Sequence, residues 1–361
     1  MKRMLFDPSV APEKMDPQFR GVLTSRGHAA ARRLMDETFG KMIDVDGNFG
    51  KEFATTAFSS RLFELAIFAY LDEFGLLPPD GRPHHAPDFI VGAARQVALE
   101  ITTSNQAQGS LAIGSKSPPD IADLVPTDRL EARRKLVFQF GKVVTAKLRW
   151  RNAAGQRYWE LPHTAGLPFV LGYGAFHDSA SLSMSGAAIA EYLYGRTDRV
   201  DYVDGNLVLS PEVLVEHHHE DKKPIPSGLF KLPDAAHLAG VLFSNEHTAS
   251  KFLRIALERG YGDGSVLVAR VGMEYDLDPN ASHPLPFSYR VGERPQSDLE
   301  TFAEGLHLFI NPWCKVAVEA AMFPGVVVHE LLDDGRQLTT YPSGTTLYPV
   351  WSITSIFQTS G

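Results

Sequence analysis

The chain has 361 residues, 44% apolar and 22% charged, a balance ordinary for a globular protein able to bury one large core or two modest ones. No run of about 18 or more uninterrupted apolar residues argues for a membrane-spanning helix, and Met4-Leu5-Phe6 is too short an apolar stretch for a secretion signal. The formal net charge of −8 excludes a protein that coats nucleic acid indiscriminately, and the single cysteine, Cys314, excludes an internal disulfide and suits a reducing cytoplasm.

In chain order, residues 1–20 carry proline and charge without a period and read as an arm. Residues 22–42 have helical character, and 1–45 is taken as an N-terminal unit closed by the turn-rich stretch 44–50. A stronger helix is predicted over 59–74. There Leu62, Leu65, Ala66, Ala69 and Tyr70 recur at three-to-four spacing, Ser59 or Ser60 can cap the start, and Gly75 with Pro78-Pro79 ends the run. Two extended segments, 88–91 and 97–103, flank Gly92-Ala93-Ala94-Arg95 and predict a hairpin. A Gly/Ser/Pro/Asp-rich loop over 104–127 leads to a long helix over 128–152 with Asp128 as its cap. A largely apolar strand at 167–176 and a helix at 183–194 follow.

Beyond residue 200 the texture changes. Short β-type runs (207–209, 213–216, 264–275, 306–310, 325–331, 345–351) alternate with turns around one convincing helix, 247–259. The pattern implies an α/β core over 46–200, a sheet flanked by helices, with an α+β portion over 201–361 packed on it.

Three short segments suggest chemistry: Phe63-Glu64-Leu65, Pro87-Asp88-Phe89 and Leu99-Glu100-Ile101-Thr102. Cleaving a phosphodiester calls for a Lewis acid, and Mg²⁺ or Mn²⁺ is held economically by two or three carboxylates from different elements. On a strand, residues i and i+2 share a face, so Glu100 and Thr102 point the same way and Asp88 can sit across from them on the partner strand. Bland readings stand beside these: Glu64 as the polar side of a helix, Asp88 as a turn residue. Glu100, set between Val97-Ala98-Leu99 and Ile101, is the hardest to explain as decoration.

Glu on the first helix, Pro-Asp, and Glu-x-Lys on the next strand form the signature of the PD-(D/E)XK, restriction-endonuclease-like phosphodiesterase superfamily. The sequence resembles it over about residues 58–176, and its longer context is similar to a bacterial branch of that superfamily. The resemblance implies a restriction-endonuclease-like core with a mixed central sheet, Asp88 and Glu100 as metal ligands and Glu64 as an accessory one. Thr102 stands where the lysine that orients the attacking water belongs. In some members a neighbouring element supplies it, which makes Lys142 and Lys147 the candidates here.

Arg133, Arg134, Lys135, Lys142, Lys147, Arg149, Arg151 and Arg157 form the one basic stripe, with Glu131 the only nearby acid. A solvated helix face is the bland reading, and Arg149 and Arg151 the nucleic-acid contacts on the other. Tyr158-Trp159 reads as core packing, with base stacking the alternative. Thr248 or Ser244 can cap the helix carrying Lys251 and Arg254, where a phosphate could bind.

Competing motifs are weaker. His217-His218-His219-Glu220 places consecutive histidines on alternating faces, so at most two share a metal. His329-Glu330 follows a strand-like run where a zinc-protease motif needs a helix. Gly109 to Ser117 resembles a phosphate loop but runs into Pro118-Pro119 instead of a helix. The expectation is therefore a cytoplasmic, Mg²⁺- or Mn²⁺-dependent nuclease acting on nucleic acid, DNA before RNA, with no membrane association and a homo-oligomer left open. The alternative is an inactive restriction-endonuclease-like module that binds nucleic acid or protein, and a zinc hydrolase built on His217–His219 comes third.

Overall fold

The computed structural model describes residues 4–6, 10–78, 85–92, 95–105, 128–204, 206–213, 217–220, 223–278, 280–281, 283–344 and 347–358. Four helices come first: α1 (Pro17–Thr24), α2 (Ala29–Lys41), α3 (Phe49–Thr55) and α4 (Phe58–Glu73). Asp16 caps α1, accepting from the Gln18 and Phe19 amides, with Pro17 preset for the first turn. The serines expected to cap α4 lie inside its first turn instead, where Ser60 Oγ meets Thr103 Oγ1 at 2.6 Å. From Leu62 to Leu71 every residue of α4 is buried, so this helix is enclosed rather than amphipathic.

The predicted hairpin is β1 (Phe89–Val91) against β2 (Val97–Asn105), antiparallel with Phe89 opposite Leu99. Helix α5 (Arg129–Arg149), capped by Asp128 as expected, crosses to β3 (Phe169–Phe176), which runs parallel to β2. Then come α6 (Ala187–Tyr194), the ribbons β4 (Arg196–Val203) with β5 (Asn206–Val213) and β6 (His217–Glu220) with β7 (Lys223–Pro226), β8 (Leu238–Ser244) and α7 (Ala249–Glu258). Gly195 ends α6 at φ 66°, where a Cβ would stand 2.9 Å from the Gly228 backbone, so glycine is required. The chain closes with β9 (Val266–Glu274), β10 (Leu285–Arg290), β11 (His307–Ile310), β12 (Val327–Leu331), β13 (Gln337–Thr340) and β14 (Pro349–Gln358).

The central sheet has the order β1-β2-β3-β8-β11-β12-β13 and is mixed: β2, β3 and β8 are parallel, and β11 is antiparallel to β8 but parallel to β12. All eight residues of β3 are buried, as an inner strand covered on both faces demands. Leu99, Ile101, Val170, Leu242 and Leu308 pack on α2, α4 and α7. Ala98, Leu171, Tyr173, Val241 and Phe243 pack on α5 and α6. The protein is thus an α/β fold with a mixed central sheet between helical layers. Four strands of that sheet lie beyond residue 200, so the sheet itself crosses the boundary expected there.

A smaller sheet, β10-β9-β14, is tied to α7 by the Arg254–Thr354 hydrogen bond and through buried Glu300, which pairs with Arg254 of α7 and Arg270 of β9. The phosphate-loop-like residues 109–117 lie outside the described residues. No helix among the described residues is long and apolar enough to cross a membrane.

Candidate active site

The hairpin register continues from Phe89–Leu99 to bring Asp88 beside Glu100. The Asp88 amide donates to Glu100 Oε2 at 3.3 Å, and the Ile101 amide donates to Asp88 Oδ2 at 2.7 Å. Because Leu99 and Ile101 pack toward α4, the side chain of Glu100 emerges on the α5 face, sharing it with Ala98. There Glu100 Oε1 accepts from Lys147 Nζ at 2.6 Å and from the Tyr158 hydroxyl at 2.9 Å. Lys147 comes from the last turn of α5. Tyr158 is held between Trp150 and Phe169, with ring centroids at 4.2 and 5.3 Å, both stacked.

Glu100 is only 6% exposed. Burial, and after it the neighbouring Asp88 charge, pushes its carboxyl up to about 7, while Lys147 and Tyr158 favour the ionised form. Burial, and then the Glu100 charge, raises the Tyr158 hydroxyl well above its ordinary value, so it acts as a donor.

Of the two lysines named for the missing strand lysine, Lys147 reaches Glu100 and Lys142 is exposed on α5. Thr102 is half-buried two residues along β2. Glu64 stands elsewhere: its Oε2 accepts from Arg61 Nη1 at 2.5 Å, Arg61 also binds Glu52, and α4 covers the face of the sheet opposite α5. Arg149 and Arg151 are exposed, the first 3.6 Å from Asp234 and the second bonded to the Gly155 carbonyl at 2.8 Å.

Lys251 and Arg254 require a correction. They were expected to offer a phosphate site on α7, but they are 0% and 2% exposed and face inward. Lys251 Nζ binds Glu300 Oε1 at 3.0 Å and the Glu304 carbonyl at 2.7 Å. Arg254 binds both Glu300 oxygens at 2.7 Å and Thr354 Oγ1 at 2.7 Å. The partner carboxylate is 46 residues from Arg254, so helical spacing alone gives no warning that this face is covered.

Sequence reasoning missed the role of Tyr158, because no spacing links it to a glutamate 58 positions earlier. It missed as well the pairing of His329, on β12, with His307, whose Nδ1 lies 3.0 Å from His329 Nε2. Among the described residues no three His, Cys, Asp or Glu side chains are grouped to hold a metal ion. Asp88 and Glu100 form an oxygen-donor pair of like charges, in which the Asp88 charge adds to burial in raising the Glu100 carboxyl. That pair fits a hard divalent cation of the kind bound by one or two carboxylates plus water and substrate phosphate. Comparison with protein-family models, with curated proteins and with solved structures finds no match to this chain.

Proposed function

We propose that the chain is a metal-dependent nuclease with a restriction-endonuclease-like core. The observation that carries this reading is the placement of Lys147 Nζ 2.6 Å from Glu100 Oε1, with Asp88 immediately before the adjacent strand. It supplies from α5 the positive charge that the resemblance expects two residues along β2, where Thr102 stands.

In this reading Asp88 and Glu100 would hold Mg²⁺ or Mn²⁺, which would supply a Lewis acid for the phosphoryl oxygens and for water. Lys147 orients the attacking water and meets the charge that builds on the phosphate. Tyr158 fixes the Glu100 carboxylate in one orientation, and Glu64, bound to Arg61, contributes through the placement of α4. A second reading, a non-catalytic binding module, is favoured by the pair of acidic ligands where the resemblance implies three.

Calorimetry with Mn²⁺ and Mg²⁺, with and without an oligonucleotide, tests the site on wild type and the Asp88→Ala/Glu100→Ala double variant. Saturable binding is expected in the wild type and not in the variant, together with oligonucleotide cleavage that Lys147→Met lowers by about a hundredfold or more. A folded wild type that binds no metal even with the oligonucleotide present would sink the nuclease reading and leave the binding module.

A further inference from the structure

One edge of the central sheet gathers the amino ends of β2, β3 and β8 and the carboxyl end of β11, because the first three strands are parallel and β11 opposes β8. The segments entering or leaving these strands carry cations and aromatic rings that the site above leaves unused. The Arg157 guanidinium lies 5.4 Å from the centre of the Trp159 ring, and Trp159 stacks on His237 at 5.0 Å and 6°. Lys315 Nζ meets His237 Nε2 at 3.1 Å, and Lys231 Nζ lies 4.9 Å from the centre of the Trp313 ring. Together with Arg149 and Arg151, the stretches 149–160, 231–237 and 311–316 carry five Lys and Arg residues against Glu160 and Asp234 alone, in a chain of net charge −8.

This strip is built rather than incidental. The Lys315 amide donates to the Ala236 carbonyl at 2.8 Å and the Asn311 side chain to the Leu238 carbonyl at 2.8 Å, which clamps the 311–316 turn to the approach of β8. Trp159 is buried and forms the base of the stack, whereas Trp313 is 41% exposed, with the Lys231 ammonium over one face of its ring. Trp159 follows in the chain the tyrosine that binds Glu100, so the strip and the candidate site share one segment. From β2 to β11 it covers three strand spacings, about 14 Å.

We propose that this edge holds an unpaired strand of nucleic acid and leads it to Asp88 and Glu100, the second half of which rests on the nuclease reading. An exposed indole beside an ammonium group can stack only on a base whose own face is free, while the cations follow the phosphates. A duplex keeps its base faces covered, so Trp313 has nothing to gain from it.

The test is fluorescence anisotropy with the full chain in EDTA, using a labelled oligothymidylate of about a dozen nucleotides and a duplex of the same length. The strand is expected to bind more tightly than the duplex, and Trp313→Ala to weaken strand binding by about fivefold or more. Lys231→Gln/Lys315→Gln is expected to flatten the dependence of log K on log salt by about 1.4, two phosphate contacts on a single strand. Absence of strand binding, no preference over duplex, or wild-type affinity in both strip variants (folded by circular dichroism) overturns the proposal. No step of this assay needs metal, so strand binding without cleavage in Mg²⁺ supports the strip and removes only the nuclease reading. Cleavage with no dependence on Trp313, Lys231 or Lys315 removes only the strip.

Discussion

Glu100 and the His307–His329 pair are ionisable groups enclosed by the core, and they carry opposite consequences for pH. Glu100 has Lys147 and Tyr158 to hold it, so its charge is tolerated at the cost of a raised proton affinity. For His307 burial depresses the imidazole to about 4 from its ordinary 6.5. Below pH 6.5 the unfolded chain takes up a proton that the native protein refuses, so stability is lost as pH falls through that window toward 4. Urea denaturation near pH 7.5 and near pH 5 should show a loss of about 2 kcal/mol assignable to this residue. His307→Gln should show a shallower fall than the wild type, and an unchanged pH dependence would refute the assignment. The acidic residues were legible singly in the sequence, since a carboxylate between Leu99 and Ile101 is conspicuous. The two histidines were not, because their contact joins strands 22 residues apart.

At the scale of elements, α7 shows how a legible helix can hide its role. Its position was evident from the sequence, but its polar face is covered by the smaller sheet and by the segment carrying Glu300 and Glu304. Arg270, on β9 and 0% exposed, reaches Glu304 Oε1 at 2.5 Å, Glu246 Oε2 at 2.7 Å and Ser352 Oγ at 2.8 Å. Glu300 is held well below the usual carboxylate range by Arg254, Lys251 and Arg270, although burial opposes this. Glu300→Gln leaves Lys251 and Arg254 buried without their carboxylate. It should cost about 3–5 kcal/mol of stability in urea denaturation, because an unpaired interior charge is far more costly than a missing pair. A loss below about 1 kcal/mol would mean that water reaches these cations and the seam is not closed.

For the whole molecule, the decisive feature is that β8 inserts between β3 and β11. A chain ending at residue 200 would leave β3, buried on all eight residues, as an open edge, with Tyr173 stripped of its stacking partner Phe243. That fragment is expected to be aggregated or without cooperative unfolding by circular dichroism, and a soluble fragment with a sigmoidal melt would show that residues 1–200 form an independent domain. Local periodicity, turn residues and the Asp128 cap determined the helices at 58–73 and 129–149, the β1–β2 hairpin and the α/β class, because each depends on neighbours a few positions away. The acidic pair was readable for the same reason, since Asp88 and Glu100 meet across one hairpin. Tertiary structure alone decided that Lys147 rather than Lys142 reaches Glu100, that Tyr158 joins it, and that Lys251 and Arg254 turn inward to a distant glutamate. It alone decided, too, which strands share one sheet. Those outcomes are set by packing between segments far apart in the chain, where burial and charge pairing act without leaving a period in the sequence.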